Sequence, residues 1–344
     1  MAKSSWSYLK GERRVGEYEE MTVQSIGHWS IMHDTSWPQA LRDGYHLFSG
    51  TGIGMTEPTS LHIKNGAAYR DRYKLTYRSY ILQQDNEEKK LDAIFDTAKQ
   101  RDCFSDLQTP VSIRRLYIPA IRHFFWGAGL MQIYGSAYTP YGPVMNTLLF
   151  QVFDAMRHAQ RLVELSWEIN RDAPGEIDSR EIWMHWGPLQ ALRKYIEYGL
   201  TVFDWGESFV ALNFVLDPLF LPLHERLMIE IPEASGDWAI AHYWLCLSED
   251  SKRHITTGED FIQAVLKEDE RNHAVVQGWL DRWYGLAIDA IDGLRPLFED
   301  GGILDFDEVK DETLKRYSET LSRYGLNTPA VNGESYEPAI SISR

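Results

Sequence analysis

From about residue 70 onward, apolar side chains recur every three or four positions and almost nowhere every two. Val144, Leu148, Val152, Ala155, Ala159 and Leu162 mark one such stripe. Ile262, Leu266, His273, Val276, Leu280 and Trp283 mark a second, and Val309, Leu314, Tyr317, Leu321 and Tyr324 outline a last helix. That spacing is the helical one. Turn chemistry predicts breaks at 139–143 (TPYGP), 172–175 (DAPG), 217–222 (DPLFLP), 232–236 (PEASG) and 300–302 (DGG). Pro188 stands early in its helix, where a missing N–H costs little. No alternating run long enough for a strand interrupts the series, so the pattern predicts an all-α bundle over residues 66–330.

Residues 1–65 break the pattern. Gly, Ser, Pro and His are scattered through them, yet Trp6, Trp29, Trp37, Tyr45 and Phe48 are there too. Disordered tails are poor in aromatics, so this stretch is expected to be an irregular arm lying on its own core or on a partner. GTGIGM (50–55) follows no predicted strand and precedes no Lys-Ser/Thr, which makes it a turn rather than a phosphate loop. Residues 331–344 read as a C-terminal tail.

Composition narrows the function classes. The 344 residues are 44% hydrophobic, with 12 Trp and 18 Tyr, enough for a large packed core. A formal charge of −15 argues against nucleic acid or an anionic membrane as the main partner. Cys103 and Cys246 are the only cysteines, which suits a reducing cytoplasm and gives no disulfide framework. The first twenty residues lack the apolar core of a signal peptide. LNFVLDPLFLPL, among the most apolar stretches, reads as too short and too Pro-broken to span a bilayer. The expectation is a soluble cytoplasmic protein.

One stretch carries candidate chemistry. FQVFDAMRHAQRL (150–162) nearly spells the Glu-x-x-His that helical di-iron proteins place on an inward helix face, but the residue three before His158 is Ala155. A fainter echo follows, since DAMRHA (154–159) and DERNHA (269–274) share Asp-x-x-x-His-Ala, and Glu270 with His273 forms an intact Glu-x-x-His. A complete centre needs carboxylates from four helices, and no Asp or Glu lies between Asp106 and Asp154. Asp154, Ala155, His158 and Glu270, His273 therefore read as two vestigial half-sites. Glu270, in the run KEDERN (267–272), equally suits a solvated helix face. His158 shares a polar stripe with Gln151, Asp154 and Arg161, which points to a hydrogen-bond cluster. No Gly-x-Ser-x-Gly elbow, P-loop or HExxH is present.

Several stretches resemble one family, the β (small) subunit of the hydroxylase in bacterial multicomponent monooxygenases: soluble methane, propane, alkene, toluene and phenol oxygenases. The most specific is FDWGESFVALNFVLDP (203–218), in which Asp204, Trp205, Gly206, Glu207 and Asn213 fit the family's DWGE-F-ALN segment. WGPLQALRKYIE (186–197) fits the helix leading into it, and FQVFDAMRHAQRL resembles the β-subunit Phe-Gln-x-x-Asp-x-x-Arg helix. RRVGEYEEMT (13–22) looks like the N-terminal signature, and YRDRYKLTYRSYILQQDNEE (69–88) like a long early helix. The GTGIGM loop and the spacing between 217 and 258 match no subgroup, which leaves the substrate open.

The resemblance implies a ferritin-like, ribonucleotide-reductase-like helical bundle with no catalytic residue, metal or cofactor of its own. It implies a di-iron centre in a partner α subunit, which activates O₂ and hydroxylates or epoxidises alkanes, alkenes or aromatics with NADH-derived electrons. Implied partners are that α subunit, in some members a γ subunit, and a second copy of this chain in a dimeric core. An effector protein and a reductase or ferredoxin act on the complex. The arm at 1–65 would wrap α. The rival is an autonomous metal-dependent oxidase or oxygenase using Asp154, His158, Glu207, Glu270 and His273, which needs an acid within 112–135 where none exists. A third reading, a ligand in the remnant cavity, is opposed by Phe124, Phe125 and Trp126, expected to fill that space.

Overall fold

Thr76, in extended backbone, opens the first long helix through a reciprocal capping box with Ser79. A computed structural model of the chain describes residues 16–19, 21–22, 59–63, 69–139, 141–172 and 177–330. The GTGIGM loop, the 331–344 tail and most of the 1–65 arm lie outside those residues. Helix α1 is Tyr77–Gln100. It starts later than the expected 69–88 helix, because the Asp71 carboxylate accepts the N–H groups of Tyr73 and Lys74 and turns the chain. Lys74 there takes a φ of 46°.

The order continues with α2 (Ile118–Tyr138), α3 (Gly142–Ile169), α4 (Ser179–His185), α5 (Gly187–Gly199) and α6 (Trp205–Ala234). After these come α7 (Trp238–Glu268), α8 (Asn272–Asp292), α9 (Arg295–Gly301) and α10 (Phe306–Arg323). Among the described residues there is no strand. Helices α2, α3, α6 and α7 form the central bundle. Helix α1 lies on α7, α8 packs on α5 and α6, and α10 crosses the middle of α6. Trp205, Trp244, Trp283, Tyr117 and Tyr195 are among the largest side chains buried in the core.

Helix α6 corrects two expectations. The break predicted at 217–222 does not occur: one helix of 30 residues runs from Trp205 to Ala234. Two π-wound turns, Val210–Leu216 and Arg226–Glu230, shift the hydrogen-bond ladder and absorb Pro218 and Pro222. Pro218 offers no N–H to the Phe214 carbonyl, which instead accepts the Tyr317 hydroxyl from α10 at 2.9 Å. This helix is also long and apolar enough to cross a membrane, contrary to the sequence reading, but 89% of its most apolar window is buried inside the protein. The second stripe, read as one helix, is cut between α7 and α8, where Asp269 is extended.

Segments of the arm that are described lie on the bundle. The Tyr18 hydroxyl donates to Asp71 at 3.1 Å, the Ser60 N–H to Asp204, and the His62 N–H to Asn272 at 2.8 Å.

Candidate functional site

Asp204 caps α6, its Oδ1 accepting the N–H groups of Gly206 and Glu207. Gly206 lets the arm lie close, since a Cβ there would fall 2.5 Å from the Thr59 hydroxyl and force that side chain to shift. Trp205 is fully buried, and Glu207 accepts from Arg282 and, at 2.9 Å, from the Trp283 indole N–H. The DWGE block is thus a helix start welded to the arm and to α8. Glu207 is engaged there, and no contact joins it to Asp154.

The polar centre of the bundle lies between α1, α3 and α7. Asp154 is wholly buried, and four donors converge on it. Tyr80 Oη (2.8 Å) and Gln84 Nε2 (3.2 Å) come from α1; Arg253 (2.5 Å) and His254 Nε2 (2.9 Å) come from α7. Because a carboxylate only accepts, His254 donates through Nε2–H. Asp250, one turn before Arg253 and His254, is the counterpart. It accepts from Arg253 at 2.7 Å, from Arg157 at 2.6 Å and from Gln84 at 3.0 Å, with His158 Nε2 at 3.3 Å.

The two helices are therefore cross-braced: the carboxylate of each meets the imidazole of the other. Both carry the same five-residue pattern, Asp-x-x-Arg-His, at 154–158 and at 250–254. Arg157 and Arg161 also engage Glu88 of α1. Burial pushes the Asp250 carboxyl up, but the neighbouring His158, Arg253 and Arg157 outweigh it and hold the group well below the usual carboxylate range. Burial pushes His158 down, and its ring packs between Phe125 (4.9 Å between ring centroids) and Trp244 (5.6 Å).

Beyond His158 the centre turns neutral and apolar. Asn213, in the first π-wound turn of α6, donates to Gln151 at 2.9 Å and lies 3.4 Å from Asp217, whose carboxyl burial pushes up to about 7. Tyr117 and the His224 Nδ1 are 2.6 Å apart, and burial drives His224 well below its ordinary value. Phe124 and Phe125 fill this space as expected. Trp126 does not; it faces outward, 54% exposed.

The second expected half-site falls elsewhere. Glu270 is exposed in the turn between α7 and α8, outside any helix, and His273 sits half-buried at the start of α8. Neither meets Asp154 or His158. The counterpart of 154–158 is 250–254, and the repeated Asp-x-x-Arg-His was the signal that could have found it. The residue after each Asp is Ala155 in one helix and Ser251 in the other.

A di-iron pair does not fit this centre. Three guanidinium groups already balance Asp154, Asp250 and Glu88, so two added cations would leave uncompensated positive charge in a buried site. Among the described residues, no group of three or more His, Cys, Asp or Glu stands where it could hold a metal ion. What the arrangement does is join three helices through buried ion pairs and hydrogen bonds.

The family model described as Methane/Phenol/Alkene Hydroxylase matches residues 37–269. The chain is 26% identical, over 289 residues, to the toluene-4-monooxygenase system hydroxylase component subunit beta of Ectopseudomonas mendocina, covering 82% of this chain and 86% of that one. It is similar to two oxygenase components of phenol 2-monooxygenase from Pseudomonas sp. (strain CF600). Identity is 24% with DmpL, over 78% of this chain and 80% of that one, and 24% with DmpN, over 63% and 42%. A solved structure of toluene 4-monooxygenase, with toluene bound in the resting active site, matches with a TM-score of 0.66 at 26% identity, covering 70% of this chain and 81% of that one.

Proposed function

Since the chain belongs to the Methane/Phenol/Alkene Hydroxylase family, we propose that it is the non-catalytic, β-type subunit of a multicomponent hydrocarbon monooxygenase hydroxylase. The family is one of di-iron oxygenases, oxidoreductases that work as multicomponent complexes. In this reading the iron belongs to a larger partner subunit of the same ferritin-like fold. That partner oxidises a hydrocarbon or aromatic with O₂ and electrons drawn from NADH through a reductase or ferredoxin. This chain braces the partner, a second copy completes the dimeric core, an effector protein acts on the assembly, and a γ subunit joins in some members. The assembly works in the cytoplasm, and the arm at 1–65 wraps the partner.

The observation that carries the proposal is the cross-brace. At the two positions where Asp-x-x-Arg-His leaves room for an inward acid, this chain has Ala155 and Ser251, and Arg253 links the two remaining carboxylates directly. Likeness to two different components of one phenol 2-monooxygenase supports a paralogous pair, one member long and one short.

The test is reconstitution. Purified alone and supplied with reductase, effector, NADH and toluene or phenol, the chain should show no substrate oxidation. Co-expression with the larger hydroxylase subunit should give a stable complex that turns over. Oxidation by the chain alone would overturn the proposal in favour of the autonomous oxidase.

A further inference from the structure

Helix α3 carries two apolar stripes, and only one is used inside the protein. The inner stripe includes Val144, Leu148, Ala155, Leu162 and Leu165, all buried. The outer one is Leu149, Phe153, Met156, Gln160, Val163 and Trp167, spaced alternately by four and three residues over five turns. Leu149, Phe153, Val163 and Trp167 are exposed, Trp167 by 62%. Antiparallel to it, α2 adds the exposed Trp126, Leu130 and Ile133. Between the two helices runs an open groove of about 630 Å³, lined by Arg122, His123, Trp126, Met156, Gln160 and Val163.

So large an exposed apolar face marks an interaction site, and its spacing says of which kind. Apolar residues repeating every 3.5 positions are filled by a facing helix, whose side chains enter the holes between them. A membrane-surface helix would carry Lys and Arg along its flanks, whereas Arg157 and Arg161 of α3 are tied inward to Asp250 and Glu88. A small ligand would need an enclosed pocket, and this groove is open along its length.

We propose that the outer face of α2 and α3 is the surface on which the larger hydroxylase subunit docks, helix pair against helix pair, with Gln160 setting the register. This rests on the reading of the chain as a β-type subunit. Two components of one phenol 2-monooxygenase are both similar to this chain, which supports a partner that is itself a paralogue of it. Gln160 is the single polar residue in the stripe, and one polar residue at such a position fixes register and partner choice.

The experiment uses the full chain co-expressed with the larger hydroxylase subunit. Val163→Glu places a charge on the face without touching the core, and Ile303→Glu does the same at an exposed apolar residue before α10. Val163→Glu should weaken the complex by about tenfold or more with unchanged helical circular dichroism, and Ile303→Glu should not. A photoreactive benzoylphenylalanine in place of Phe153 should cross-link to the larger subunit. Cross-linking to a second copy of this chain, or a Val163→Glu complex of full strength, would overturn the docking face while leaving the subunit reading intact. Failure of the wild-type chains to associate at all would instead sink the subunit reading, and this proposal with it.

Discussion

Four donors on one buried carboxylate leave Asp154 nothing to offer a metal, and the consequences are measurable residue by residue. Replacing Ala155 with Glu adds an acid where a ligand would stand, but with Arg253 already committed it buries a lone carboxylate. Ala155→Glu should bind no iron and lose roughly 2 kcal/mol or more of stability in urea unfolding. Arg253→Met removes the guanidinium that holds Asp154 and Asp250 together, and should cost roughly 3 kcal/mol or more. The two buried acids near His254 also act on pH dependence in opposite directions. Asp250 is held below its unfolded value, so its contribution is complete above about pH 4 and is lost as pH falls further. Asp217, pushed up to about 7 by burial, keeps its proton in the folded state, so stability declines as pH rises from about 4 towards 7. Glu225 is pushed up to about 7 by burial as well and acts in the same window. Asp217→Asn should therefore remove one proton's worth of that slope, about 1.4 kcal/mol per pH unit, and leave the other. An unchanged slope would mean that Asp217 is already ionised there. Of this centre, Asp154, Ala155 and His158 were legible in the sequence, because they sit on an obvious stripe. Asp250 and His254 were not, because SEDSKRHIT reads as one more charged helix face until its spacing is set against 154–158.

At the scale of elements, the helices were legible and their interruptions were not. Proline is a reliable breaker only if the freed carbonyls have nowhere to go. In α6 the Phe214 carbonyl finds the Tyr317 hydroxyl, a residue 103 positions away, and no local reading of DPLFLP contains that donor. The same turn lets α7 approach closely. A Cβ on Gly258 would fall 2.4 Å from the Asn213 carbonyl oxygen, so backbone and not a flexible side chain would have to move. Gly258→Ala should cost roughly 1–3 kcal/mol. Gly278→Ala, in α8 with nothing within 4 Å of its Cβ, should instead gain up to about 1 kcal/mol. Thermal unfolding of the two variants checks both signs, and equal effects would mean that the approach of α7 to α6 is looser than described.

The described residues form a helical bundle held by apolar packing. Burial of apolar faces, worth about 25 cal/mol per Å², holds α2, α3, α6 and α7 together, and the charges around Asp154 set which helices meet. That the described residues form an all-α bundle was readable from periodicity alone. Its outer face was not, since an exposed stripe and a buried one look alike in sequence, and only burial tells Leu149 and Phe153 from Leu148 and Val152. The central claim, that this chain carries the fold of an iron protein without the iron, is tested most directly by elemental analysis. The full chain should be expressed without partners in iron-supplemented cells and its iron counted per chain. The expected product is a helical protein with essentially no iron. A stoichiometry close to two irons per chain, the content of a complete di-iron bundle, would contradict it and make the Asp154–Asp250 cluster a working metal site.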